Sequence, residues 1–149
     1  CKHRYRQRFQ VLLVDVEEFF YINRSSNTQT CGMLEDHPAL AAIPHAKSWE
    51  LNWFHLVEQR HAVDLEALGF AVTPIVCGLG KTLEKRGYLF EFRYGKGAVL
   101  VSTLNFEKTN LHHPEVQYTF DRLLDYMDSP AFAPVHEVTP EQLAQALKK

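Results

Sequence analysis

Residues Tyr88 to Met127 restrict the fold of this chain more tightly than any other stretch. They read Tyr88-Leu89-Phe90-Glu91-Phe92-Arg93-Tyr94, then Gly95-Lys96-Gly97, then Ala98 through Phe106, and end on Leu123-Leu124-Asp125-Tyr126-Met127. From Leu89 to Arg93 the side chains alternate. Phe90 and Phe92 point one way, and Leu89, Glu91 and Arg93 the other, which is the period of a strand. Glycines on both sides of Lys96 allow the positive φ of a tight turn. With Ala98–Leu104 as the return strand, the stretch is a hairpin. Pro114 suits a helix first turn and Glu115 complements its dipole. Val116, Phe120, Leu123, Leu124 and Met127 then fall on one apolar stripe.

Elsewhere the signals are shorter. Val11-Leu12-Leu13-Val14, inside Phe9–Phe20, is a continuous apolar run, as in a strand covered on both faces. Tyr21–Gln29 is polar and reads as a loop. Pro38 opens a short helix. Ser48 looks like the N-cap of a longer helix, Trp49–His61, in which Trp49, Trp53, Leu56, Val57 and Arg60 share helical spacing. Ala62–Leu65 reads as a short strand or extended segment. Ala71–Cys77 is a further strand, and Pro74 makes it an edge strand or a bulged one. Gly78–Gly87 is a charged loop. Thr139-Pro140-Glu141-Gln142 caps a terminal helix.

A length of 149 residues fits one domain with a core of its own. The net charge of −2 gives no pull toward nucleic acid or an anionic membrane. No apolar run approaches a membrane span. Cys1, Cys31 and Cys77 are odd in number and widely spaced, so neither a disulfide framework nor a zinc knuckle is expected. The compartment stays open between cytoplasm and export.

Chemistry-bearing residues are sparse. Asp15, Glu17 and Glu18 form the best acidic cluster; a carboxylate pair there could do acid–base work, against the plainer reading of a strand end meeting solvent. Trp49, Trp53, Phe54 and Tyr21 could stack on the C–H face of a sugar, although aromatics at helical spacing are more often core. Asn105, just past a strand end, and Glu91, in an apolar strand, are further ligand candidates with an ordinary structural alternative. Lys96 reads as a hairpin tip, not a phosphate site. The histidines are scattered: His112 and His113 are adjacent, so their side chains should diverge, and His55 and His61 fall off one face. Neither a metal nor a cofactor is expected.

The ordered set Gly32…His37-Pro38-Ala39-Leu40, Trp49…Trp53-Phe54…Leu56-Val57, Pro74-Ile75-Val76, Leu89-Phe90-Glu91-Phe92, Gly95-Lys96-Gly97, Val99 to Asn105, and Leu123 to Met127 resembles a region of large bacterial glycoside hydrolases. These are of the family-two β-galactosidase and β-glucuronidase kind. In them a glutamine-amidotransferase-like, flavodoxin-like accessory domain lies beyond the catalytic barrel. The resemblance implies an α/β fold: a flavodoxin-like sheet flanked by helices, with the hairpin and closing helix toward its end. The break in pattern at Ser129–Pro134 divides the chain into an accessory domain, 1–129, and a linker with a short terminal helix, 130–149.

It implies no catalytic residue here, because the family's catalytic glutamates belong to the barrel. Cys31 and Cys77 lack the strand-to-helix elbow of a nucleophile. Such a domain should also hold more strands than Phe9–Phe20 supplies, which leaves the completeness of the sheet open. The expected role is non-catalytic: packing on the parent polypeptide's catalytic region, homo-oligomer contact, or weak glycan binding. A free-standing carbohydrate- or small-ligand-binding module, and a small hydrolase using Asp15 and Glu17, are the alternatives.

Overall fold

Chain reversal at Gly95 builds the centre of the sheet in this computed structural model, which describes residues 10–14, 32–48, 50–58, 60–78 and 86–146. Strand β5 (Arg86–Tyr94) and strand β6 (Gly97–Ser102) pair antiparallel from Tyr94↔Gly97 to Leu89↔Ser102. Gly95 takes φ 57° at the first central position of the two-residue loop, where a type II′ turn needs glycine. Gly97 has no positive φ; it opens β6 as an ordinary strand residue.

Four further strands extend this pair into one sheet ordered β1-β6-β5-β4-β2, with β3 also on β5. Strand β1 (Gln10–Val14) runs parallel to β6. Strands β2 (Gly32–Leu34), β3 (Val63–Asp64) and β4 (Val76–Gly78) pair antiparallel. Strand β4 lies between β5 and β2, so Pro74 does not mark an edge. It precedes a bulge instead, where the register shifts between Val76 and Cys77. Gly78 is required on packing grounds: a Cβ there would lie 2.6 Å from the Tyr88 ring.

Both faces of the sheet are covered, as the alternation in β5 requires. Phe90 and Phe92 sit directly opposite Val101 and Val99 and pack with Val63, Leu65 and Phe70. Leu89 and Leu100 face the other way, with Trp53, Leu56 and Leu123. That second layer is made by helix α2 (Pro114–Asp128), a 3₁₀ turn at Leu51–Trp53 and the one-turn helix α1 (Phe54–Val57). The chain is therefore α/β, with strands and helices layered. The inward side chains of α2 are Val116, Thr119, Leu123, Tyr126 and Met127. Leu124, expected on that stripe, is turned outward at 39% exposure.

Two sequence expectations are corrected here. The long helix Trp49–His61 is only the 3₁₀ turn plus α1, because Glu58 leaves helical geometry at ψ 127°. Beyond it the buried Arg60 side chain donates to the Thr103 carbonyl at 3.1 Å and to Glu107 at 2.9 Å. The segment after residue 129 is not a detached linker. Phe132, Val138 and Ala146 are all buried in the two core layers. Arg93 also donates its N–H to the His136 carbonyl and accepts from the Val138 N–H. Helix α3 (Pro140–Ala146) carries the expected capping box: Gln142 N–H donates to Thr139 Oγ1, and Thr139 N–H to Gln142 Oε1.

Candidate functional site

Of the expected sugar contacts, Trp53 and Asn105 fall among the described residues, and both have structural roles. Trp53 is 0% exposed and belongs to the core, so it offers no ring face to a sugar. Helical spacing put it on the buried stripe; its Nε1–H finds no acceptor among the described residues. Asn105 is committed locally. Its N–H donates to Leu56 O, its Oδ1 accepts from Glu107 N–H, and its carbonyl accepts from the Asn110 side chain. Asn105 is thus the organiser of the 105–110 loop. Phe54 is half exposed at its own turn. Trp49 and the acidic cluster Asp15, Glu17 and Glu18 lie outside the described residues.

A cleft of about 250 Å³ opens instead over the middle of β5. Glu91 reaches it because it occupies the strand face opposite Phe90 and Phe92, under α2. The last turns of α2 bring Tyr126, whose hydroxyl donates to Glu91 Oε2 at 2.8 Å. His37 arrives from the turn that opens the 3₁₀ segment Pro38–Leu40. Pro74 and Ile75, leading into β4, and Val135 and His136, running beside β5, complete the walls with Glu35, Asp36 and Thr73.

The protonation pattern follows from the contacts. His37 Nδ1 accepts from the Ala39 N–H at 3.2 Å, which places the neutral ring's proton on Nε2. That nitrogen faces Glu91 Oε1 at 3.6 Å, just beyond hydrogen-bond length. Burial pushes the Glu91 carboxyl above its ordinary value, opposed by the hydrogen bond from Tyr126. Burial also holds His37 below its ordinary value. Tyr126 is pushed far up by burial and by Glu91, so it remains a donor. The acid and the imidazole are therefore brought toward one another in proton affinity. Asp36, at the rim, is held low by its exposed partner Lys47 at 2.6 Å.

A second cluster lies toward the other end of α2. His55, from α1, stacks on His113 with ring centroids 3.7 Å apart and planes 13° apart. His112 and His113 do not diverge; their rings are 3.9 Å apart, because both precede the helix in a turn instead of alternating along a strand. Among the described residues His55, His113 and Glu115 offer ligand atoms that lie within 4.8 Å of one another.

Neither grouping was legible as a unit in the sequence. Glu91 gave a signal, as the one acid in an apolar strand, and His37 stood out only as a residue at a helix start. Nothing local links His55 with His113, which lie 58 positions apart.

Comparison with known proteins adds one relation. No curated protein matches the chain. A family model does match, over residues 18–148, which is most of the sequence. The chain thus belongs to the family described as a domain of unknown function, DUF8487.

Proposed function

We propose that this chain is a non-catalytic accessory domain of a carbohydrate-active glycoside hydrolase, and that the Glu91 cleft is its point of weak glycan contact. One observation carries the reading. His37, Pro74, Ile75 and Glu91 belong to three of the motifs that resemble the hydrolase region, and they meet around one cleft. Tyr126, from a fourth motif, stands behind Glu91 and holds it. Motifs far apart in sequence that converge on one depression form a single unit, and not merely four pieces of core.

The chemistry of the walls suits a polyhydroxylated ligand. Pro74, Ile75 and Val135 supply an apolar side, while carboxylates, imidazoles and Thr73 supply acceptors and donors. Glu91 is not free for acid–base work on a substrate, since one oxygen accepts from Tyr126 and the other faces His37. Kinship to a flavodoxin- or amidotransferase-like domain is supported by the parallel β1–β6 pair and by side chains packed on both sheet faces. The antiparallel pairing of β2, β4 and β5 is a departure from that pattern.

Two measurements test the proposal. The chain should turn over no chromogenic glycoside; robust turnover would end the accessory reading. Calorimetric titration with a saccharide panel should give weak binding that Thr73→Trp abolishes by filling the cleft. Absence of binding to any sugar would remove glycan contact, leaving packing or oligomer contact as the accessory role.

A further inference from the structure

We propose that His55, His113 and Glu115 bind a divalent transition-metal ion of the zinc class, pinning the α1 turn to the start of α2. This inference is independent of the accessory-domain reading. It uses neither the cleft nor the motifs that support that reading.

The donor set is the first argument. Two imidazoles and one carboxylate are a known three-ligand set for zinc, with the fourth position left to water. All three residues are partly exposed, so that position can open to solvent. Geometry is the second. His55 Nε2 already lies 3.8 Å from Glu115 Oε1, and all three ligand atoms fall within 4.8 Å of one another. Around a tetrahedral ion with bonds of about 2.1 Å, ligand atoms stand about 3.4 Å apart. Closure therefore asks for ligand-atom movements on the order of 1 Å. It also asks the two rings to swing well out of their 13° stack, because the lone pairs of parallel imidazoles lie in separate planes.

The third argument is the far side of His55. Its Nδ1 faces Glu58 Oε2 at 3.7 Å. Metal-binding histidines take a carboxylate on the nitrogen that does not bind the ion, which orients the ring and raises its basicity. His55 thus has a ligand partner on one nitrogen and an orienting carboxylate on the other. His113, at the N-cap of α2, makes no side-chain cap bond, so its ring nitrogens are not taken by the helix start.

The test is titration of the whole chain with zinc chloride in a non-coordinating buffer, read by calorimetry and by melting temperature. Cobalt(II) substitution gives an independent optical readout. One ion per chain is expected, with a raised melting temperature and the strong visible absorption of a tetrahedral cobalt site. His55→Ala and His113→Ala should each lower affinity at least tenfold. Glu58→Gln, which removes no ligand, should weaken binding about tenfold. His136→Ala, in the cleft, should leave it unchanged. Circular dichroism checks that each variant folds, and Glu115→Gln provides a conservative ligand deletion. Absence of zinc binding would overturn the proposal. So would binding that survives unchanged in the His55→Ala, His113→Ala double variant.

Discussion

Tyr126 and His37 both face Glu91, and the physics at each can be isolated by one substitution. Tyr126 lowers the cost of a buried carboxylate by donating to it at 2.8 Å. Tyr126→Phe keeps the ring, which packs edge-on to Phe132, and removes only that donor. Urea unfolding should register a loss of about 1–3 kcal/mol at neutral pH. The loss should shrink in acid. A carboxyl whose folded pKa is raised by burial is penalised only once it ionises, and the lost donor matters most to the ionised form.

His37 works the other way. Burial holds it below its ordinary pKa, so the folded chain resists a proton that the unfolded chain accepts near pH 6.5. Its contribution to stability is complete above that value and is lost as pH falls through it toward the folded pKa. Among the described residues Glu91 and Tyr126 face this ring, and Glu91 shifts in the opposite sense. His37→Asn retains a side chain able to accept from the Ala39 N–H but cannot titrate. Between pH 7.5 and about 5.5 the wild-type melting temperature should fall further than that of His37→Asn. Parallel curves would show that His37 carries no linkage.

Among elements, the hairpin and α2 could be read from sequence because their periodicity coincides with their burial. Phe90 and Phe92 alternate with Leu89 and Glu91 in the structure as in the sequence, and Val116, Leu123 and Met127 all face the core. The longer helix at Trp49 failed for a physical reason. The 3₁₀ turn and α1 already bury Trp53, Leu56 and Val57, and Arg60 is then taken by Thr103 and Glu107, 43 and 47 positions away. A window of local sequence holds no trace of such partners, and the same limit hid the His55–His113 cluster. The Gly95 turn provides the prediction at this scale. A Cβ at Gly95 would meet no atom within 4 Å, so any penalty is backbone conformation alone. Gly95→Val forces a β-branched residue to φ 57° and should cost about 1 kcal/mol or more in chemical denaturation. An unchanged midpoint would mean the turn can relax to another type.

Across the whole molecule, the segment after α2 contributes buried side chains to both core layers. Phe132 is 2% exposed in the α2 layer, and Val138 and Ala146 are 1% and 2% exposed in the opposite one. The segment therefore crosses from one face of the sheet to the other, passing the edge of β5 where Arg93 exchanges two backbone bonds with it. Removing a buried phenylalanine side chain alone costs about 3–5 kcal/mol. The whole stability of a domain is about 5–15 kcal/mol. A chain ending at Ser129 loses all three buried side chains and both backbone bonds at once. It should lack a cooperative thermal transition, while Phe132→Ala should retain one at a lowered temperature. If the truncated chain instead melted as sharply as the full one, residues 130–149 would be the linker that the break in pattern at Ser129–Pro134 suggests, and the fold would close at α2.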